Sequence, residues 1–528
     1  MLRHSLAWKI VPVVAGGALA LGSSLVAHAQ DAATLRYAVI SEPSSLGLHQ
    51  DASGATFIPL QAIYEPLLRL DQDMKLQPGL AESWQQLDEQ TYEIKLREGV
   101  TFHSGNPLTA EDVKATFAWH INPDAPGYAA AYLNPIEEMT VKDELTLEIR
   151  LKAPYGPFPY VLTMPHTAIS DMSKYAEIGA EGLRSQPSGT GPFQLESWNR
   201  GAELLLEAYP DYWGGEVPIE RIQFRFVPEV AARAIALETG EIDIAESVAA
   251  PDIPRLVADP EINVVDAYEL RAVLWIVNTH HEVLSDPIVR KALAHAIDYE
   301  LAVSAILGEA ARPLEGFVPP GTFGFADYKY AYDPEEAARL LTEAGWSKNG
   351  AGFYEKGGTV LSFSHVSGAH VAQEIQVAEA VQTLLREFGI DMQIEVLERV
   401  THTTTMFDHA KAFSDGPKPD FGTTQWDHGI RTGDASVALD PIFTCGGPRN
   451  FGQFCDPAYD ELIREAVSGL PAKEREARYA EAQAILFDAV AALPMWQPRI
   501  SMAASADVAN LQPTPTKVIY FDQLDLER

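Results

Sequence analysis

The chain has 528 residues, enough for two or three domains, and 46% of them are hydrophobic, enough for sizeable cores. Its formal net charge of −35 repels phosphate backbones and anionic lipid surfaces, which argues against binding to nucleic acid or to a membrane surface. Salt screens such a charge to a reach of roughly 8 Å, so it does not specify a small ligand.

At the N-terminus, Arg3 and Lys9 precede an apolar, Ala/Gly-rich run over residues 10–26, and Ala27-His28-Ala29 supplies an A-x-A cleavage pattern. This order predicts a signal peptide over residues 1–29 and an exported, soluble mature protein. No cysteine stands at the cleavage point, so no lipid anchor is expected, and no later apolar run is long enough to span a bilayer.

Strands and helices then alternate irregularly, the pattern of α/β domains. Tyr92, Ile94 and Leu96 alternate with Glu93, Lys95 and Arg97, a half-buried strand. Leu145, Leu147, Ile149 and Leu151 repeat the pattern, as do Ile222, Phe224 and Phe226. Thr109 with Glu111 and Asp112 marks a helix start. Asp286-Pro287, Asp333-Pro334 and Asp456-Pro457 each set an N-cap acceptor before a proline suited to the first turn. Gly345 stops the helix begun at Asp333, and a further amphipathic helix is expected from about 373 to 388, ending at Gly389. Cys445 and Cys455, the only two cysteines, flank a Gly/Pro-rich loop. In an oxidising compartment they are expected to form a disulfide, contributing about 2–3 kcal/mol because the closed loop is short.

Catalytic motifs are missing: there is no H-E-x-x-H, no G-x-S-x-G, no P-loop and no G-x-G-x-x-G opening a helix. His280-His281 and the pair His402 and His409 do not have zinc-site spacing, so neither metal nor cofactor is expected.

Several separated segments bear a family resemblance. The most specific is Leu80-Ala81-Glu82-Ser83-Trp84, followed by the stretch from Tyr92-Glu93-Ile94 to His103-Ser104-Gly105 and by Pro107-Leu108-Thr109-Ala110-Glu111-Asp112-Val113. Gly189-Thr190-Gly191-Pro192-Phe193, Pro210-Asp211-Tyr212-Trp213, Gly240-Glu241-Ile242-Asp243, Val289-Arg290-Lys291-Ala292-Leu293 and Glu343-Ala344-Gly345-Trp346 follow in order. Together they resemble the family 5 extracellular solute-binding proteins, the oligopeptide-, dipeptide- and nickel-binding class of ABC importers. The resemblance implies an α/β, two-lobed periplasmic-binding-protein fold (type II, cluster C) with an extra subdomain in the N-terminal lobe. Lobe I would span 30–275, with the subdomain near 70–190. Lobe II would span 276–495, and 496–528 would return to lobe I. The implied function is that of a monomeric, non-enzymatic, periplasmic component. It would close its lobes on a small polar ligand (a peptide, an opine-like compound or an amino-acid derivative) and deliver it to a permease with its ATPase. A nickel or metal-chelate binder and a hydrolase with an Asp/Glu pair are the alternatives.

The resemblance also suggests contacts. In peptide-binding members an aspartate in the segment corresponding to Trp426-Asp427-His428-Gly429-Ile430-Arg431-Thr432-Gly433-Asp434 receives the ligand ammonium. Asp434 is the better match and Asp427 the second. Arg431 would meet a ligand carboxylate or pair with Asp434, and Trp426 would stack on the ligand or pack inside. Ser53, Gly54 and Thr56 resemble a ligand-contacting loop or form a simple turn. His370, with His365 and His428, lies near the same segments. Two departures stand out: Ala435 replaces an expected aspartate-proline continuation, and residues 365–370 contain no arginine to clamp a dipeptide carboxylate.

Overall fold

Two mixed sheets frame the molecule, whose computed structural model describes residues 34–48, 54–125, 127–369, 372–411 and 420–528. The predicted signal peptide lies outside these residues. In lobe I, strand Thr34–Val39 pairs in parallel with Arg221–Phe226 and Ile244–Ala245. Glu203–Ala208 and Phe193–Asn199 extend one edge antiparallel; Ala503–Ser505 and Ile262–Val264 extend the other. Lobe II is built on the order Ala311–Pro313, Ala492–Pro498, Arg271–Val277, Thr423–Gly429, Ser362–Gly368, Asp391–Leu397. The run at Arg271–Val277 is apolar without alternation because both of its faces are covered. Val273, Trp275 and Val277 join one core, and Ala272, Leu274 and Ile276 join the other.

A third, antiparallel sheet orders Ala81–Gln86, Thr91–Leu96, Thr146–Leu151 and Ile136–Asp143. Here the period of two is clean: Tyr92, Ile94 and Leu96 are buried with Leu147, Ile149 and Leu151, under Val113 and Phe117 of helix Ala110–His120. Helix starts follow local chemistry. Thr109 and Asp112 form a reciprocal capping box. Asp286, Asp333 and Asp456 accept from the backbone N–H groups of Ile288, Glu336 and Ala458. Helix Ala372–Phe388 ends at Gly389, whose φ of 109° suits glycine.

Many of the motif residues serve packing. Glu65 is buried and is held by Arg69 at 2.6 Å, Tyr212 at 2.9 Å, Trp213 at 2.7 Å and Thr190 at 3.0 Å. The Asp-Tyr-Trp and Gly-Thr-Gly motifs thus converge on one carboxylate. Asp243 of Gly-Glu-Ile-Asp pairs with Arg36 and Arg528, and Arg290 donates to the carbonyls of Ala489, Leu284 and Ser285.

Two chain crossings, at 265–270 and 499–502, join the lobes. They run antiparallel and share hydrogen bonds: the Val265 N–H donates to the Met502 carbonyl at 2.9 Å, Ile500 to Ala267 at 2.8 Å, and Glu269 to Pro498 at 2.9 Å. Beyond them, Ile519, Phe521 and Leu524 return to the core of lobe I beside Tyr37 and Phe224. A further junction lies at the hairpin of Leu68–Leu70 and Leu76–Pro78, which buries Leu70 and Met74 in the lobe II core with Ile430 and Leu439. Nearby, the Gly156 N–H donates to the Val467 carbonyl at 2.9 Å. The Cys445–Cys455 disulfide is formed, with its Cα atoms 4.6 Å apart. Among the described residues no helix is long and apolar enough to cross a membrane.

Candidate functional site

Strands Ser362–Gly368 and Thr423–Gly429 are parallel and so end at one edge of the lobe II sheet. In open α/β sheets the crevice outside such strand ends is where ligands sit. Asp427, His428 and Arg431 lie at this edge, with Glu374 of the adjoining helix and Arg449 of the disulfide loop within their electrostatic reach.

Asp434 has a different job from the one its motif suggests. It is fully buried. Its carboxylate accepts from the Arg475 guanidinium at 2.5 Å, from the Tyr479 hydroxyl at 2.8 Å and from the Ser436 N–H at 2.9 Å. Arg475 is itself fixed by the Ala466 carbonyl at 2.6 Å and lies over the Phe323 ring. The charge is compensated inside lobe II, and no oxygen is left facing the crevice. Asp427 is also engaged: it pairs with Arg271 on the neighbouring strand. Glu374 sits beside that pair. Burial, reinforced by Asp427 and opposed by Arg271, pushes its carboxyl up to about 7.

Arg431 is exposed and does not pair with Asp434. It lies within electrostatic reach of Tyr132 and His166, both from lobe I. Arg449 also acts on Tyr132. Its guanidinium donates to His428 Nδ1 at 3.3 Å, and burial followed by the Arg449 charge lowers that imidazole to about 4, leaving it a neutral acceptor. Arg449 is carried by the loop that the disulfide closes. The loop is braced by the Arg449 N–H on the Pro441 carbonyl at 2.9 Å and by the Asn450 amide on the carbonyls of Thr444 and Phe454.

Trp426 is half-buried against Phe407 and Phe451, with its ring centroid 4.6 Å from that of Phe451. Its indole N–H has no hydrogen-bond partner among the described residues. From lobe I, the His166 ring packs against Phe57 and Tyr128, with ring centroids 3.7 Å and 4.5 Å away. It is buried, and neither ring nitrogen has a hydrogen-bond partner among the described residues. Burial, with Arg431 and His120, holds it well below the usual imidazole range. Ser53 and His370 lie outside the described residues, while Gly54 and Thr56 fall in the first turn of helix Gly54–Ile63. His365 is a core residue stacked 3.9 Å from Trp275, bonded to Thr423 and Ser367, and lowered to about 3 by burial.

The comparisons with known proteins agree with this frame. The model of the bacterial extracellular solute-binding proteins, family 5 (middle region), matches residues 75–450. The chain belongs to this family. It is similar to a di/tripeptide-binding protein of Pseudomonas aeruginosa, 29% identical over 85% of this chain and 86% of that one. A glutathione-binding protein of Salmonella typhimurium is 28% identical over 97% of this chain and 98% of its own. Among solved structures, HbpA2 of Haemophilus parasuis superposes with a TM-score of 0.84 at 23% identity, covering 94% and 100% of the two chains. A nickel ABC transporter protein of Bacillus halodurans gives 0.80 at 27% identity, covering 93% and 100%. The two-lobed periplasmic-binding-protein fold is therefore that of the family, and the family 5 chain is a substrate-binding component of an ABC importer.

Within this family 5 chain, sequence reasoning named Arg431, Asp427 and Trp426 at the crevice edge but passed over Arg449, His166 and Glu374. Arg449 carried a usable signal, since a disulfide loop holds its residues still. His166 carried none, because Pro165-His166-Thr167 matches no motif and its neighbours Phe57 and Tyr128 are remote in sequence.

Proposed function

We propose that the chain works in the periplasm, holds a peptide or amino-acid derivative chemically intact between its lobes, and presents it to a permease. The observation that carries this reading is that Arg431 of lobe II stands within electrostatic reach of Tyr132 and His166 of lobe I. A polar solute entering there exchanges water for fixed partners on both sides, and binding favours the closed arrangement of the lobes. The export pattern at residues 1–29 supports the location, and the di/tripeptide- and glutathione-binding relatives support the solute class.

Native mass spectrometry of the purified full chain, followed by calorimetry with short peptides, tests the reading. It expects one solute per chain, recovered unaltered after long incubation. A solute that comes back cleaved, or a chain that binds nothing stoichiometrically, would sink it.

A further inference from the structure

Resting on that reading, we infer that the solute is acidic, with two anionic groups engaging Arg431 and Arg449, and that it needs no free α-ammonium.

In a chain of net charge −35, most of the described arginines meet a carboxylate, and others, such as Arg233 and Arg290, spend their donors on backbone carbonyls. Arg36 is paired with Asp243, Arg69 with Glu65 and Asp522, Arg271 with Asp427, Arg475 with Asp434, and Arg499 with Asp266. Arg431 and Arg449 have no carboxylate at ion-pair distance among the described residues. The polar partner of Arg449 is the neutral ring of His428, which orients the guanidinium without cancelling its charge. Across the crevice, both arginines lie within electrostatic reach of Tyr132. Among the described residues the crevice thus holds two guanidiniums without a carboxylate partner, one of them on a braced, disulfide-closed loop. Planar guanidinium forks match carboxylate geometry.

The complementary half of the argument concerns the ammonium. Asp434, which the family pattern marks as its receiver, is buried and fully engaged by Arg475, Tyr479 and Ser436. Asp427 is held by Arg271. Among the described residues, the two aspartates of this segment are therefore already engaged, whereas an anion meets two guanidiniums. The rings of Phe57, His166 and Tyr128 offer an apolar and aromatic wall for the rest of the solute.

The test is calorimetry on the full mature chain with Glu-Glu, N-acetyl-Glu-Glu and Ala-Ala. Glu-Glu is expected to bind at least about 10-fold more tightly than Ala-Ala, and acetylation to change its affinity by less than about 3-fold. Arg431→Gln and Arg449→Gln are each expected to lose about 10- to 100-fold, the worth of one charge-assisted hydrogen-bonded contact. Arg431→Lys should keep part of the affinity, and unchanged thermal unfolding of the exposed Arg431 variants shows that they are folded. Ala-Ala binding as tightly as Glu-Glu, with both glutamine variants unimpaired, overturns the acidic-solute inference and leaves solute binding intact. Loss of binding on acetylation overturns the claim about the ammonium. Failure of all three peptides, with no co-purified solute by native mass spectrometry, overturns both readings together.

Discussion

Arg475 and Asp434 face each other in a site closed to water, so each depends on the other. Removing the cation alone leaves a carboxylate buried without compensation. Arg475→Met is therefore expected to cost about 3–5 kcal/mol, read as a fall in the urea midpoint. The double change Arg475→Met with Asp434→Asn should recover a good part of that loss, because it removes both charges together. Equal losses in the single and double variants would show that the pair is not the source. Glu374 makes a second prediction at this scale. Its carboxyl is raised to about 7 by burial, then by Asp427, against the opposing charge of Arg271. Between an ordinary carboxyl value and 7 the native state holds a proton that the unfolded chain has lost, so stability falls as pH rises through that window. The loss is about 3 kcal/mol at most. Glu374→Gln should flatten the profile between pH 4.5 and 7 and be the more stable form at pH 8. Parallel profiles for the two proteins would rule the effect out.

Elements whose signals are local could be read directly. The N-caps at Asp286, Asp333 and Asp456, the glycine stops at Gly345 and Gly389 and the alternating strand at Thr91–Leu96 each depend on residues within a few positions. The disulfide was legible for the same reason, since its cysteines are separated by 10 positions. The fate of Asp434 was not, because its partner Arg475 lies 41 positions away on helix Ala472–Ala489. The wall of Phe57, Tyr128 and His166 likewise joins three segments that only the fold brings together. The Gly-Thr-Gly motif yields a test at this scale. A Cβ on Gly191 would stand 2.5 Å from the Ala62 carbonyl, a backbone atom that cannot swing away. Gly191→Ala should destabilise by about 1–3 kcal/mol, measured by thermal or urea unfolding; a neutral result would mean that the segment relaxes. The disulfide loop yields another. Replacing Cys445 and Cys455 with serine should cost about 2–3 kcal/mol of stability. Affinity for an acidic peptide should fall as well, because Arg449 would no longer be held in place. Retained affinity in the folded double variant would show that Asn450 and the Arg449 backbone contact hold the loop without the covalent bond.

At the scale of the molecule, the question is what stays fixed while the lobes move. The two crossings at 265–270 and 499–502 form a hydrogen-bonded ribbon, but Leu70 and Met74 of lobe I are also buried in the core of lobe II. Pulling such side chains into water costs about 1.5–3 kcal/mol each, a sizeable share of the free energy that a peptide ligand can supply. The economical motion keeps the hairpin that carries Leu70 and Met74 seated as a plug in lobe II and turns the lobes about an axis through it and the ribbon. Met74→Ala separates the possibilities by linkage, because a change in stability alters affinity only where the contact differs between the free and bound states. With the plug seated in both states, the variant should melt earlier, with affinity for its solute within about 3-fold of the parent. If binding withdraws the plug, the variant should bind more tightly, since the free state alone would lose the contact; if binding forms it, affinity should weaken by a similar factor. A shift beyond about 10-fold in either direction, in a variant whose unfolding remains cooperative, would remove the plug from the axis and leave the ribbon as the sole hinge.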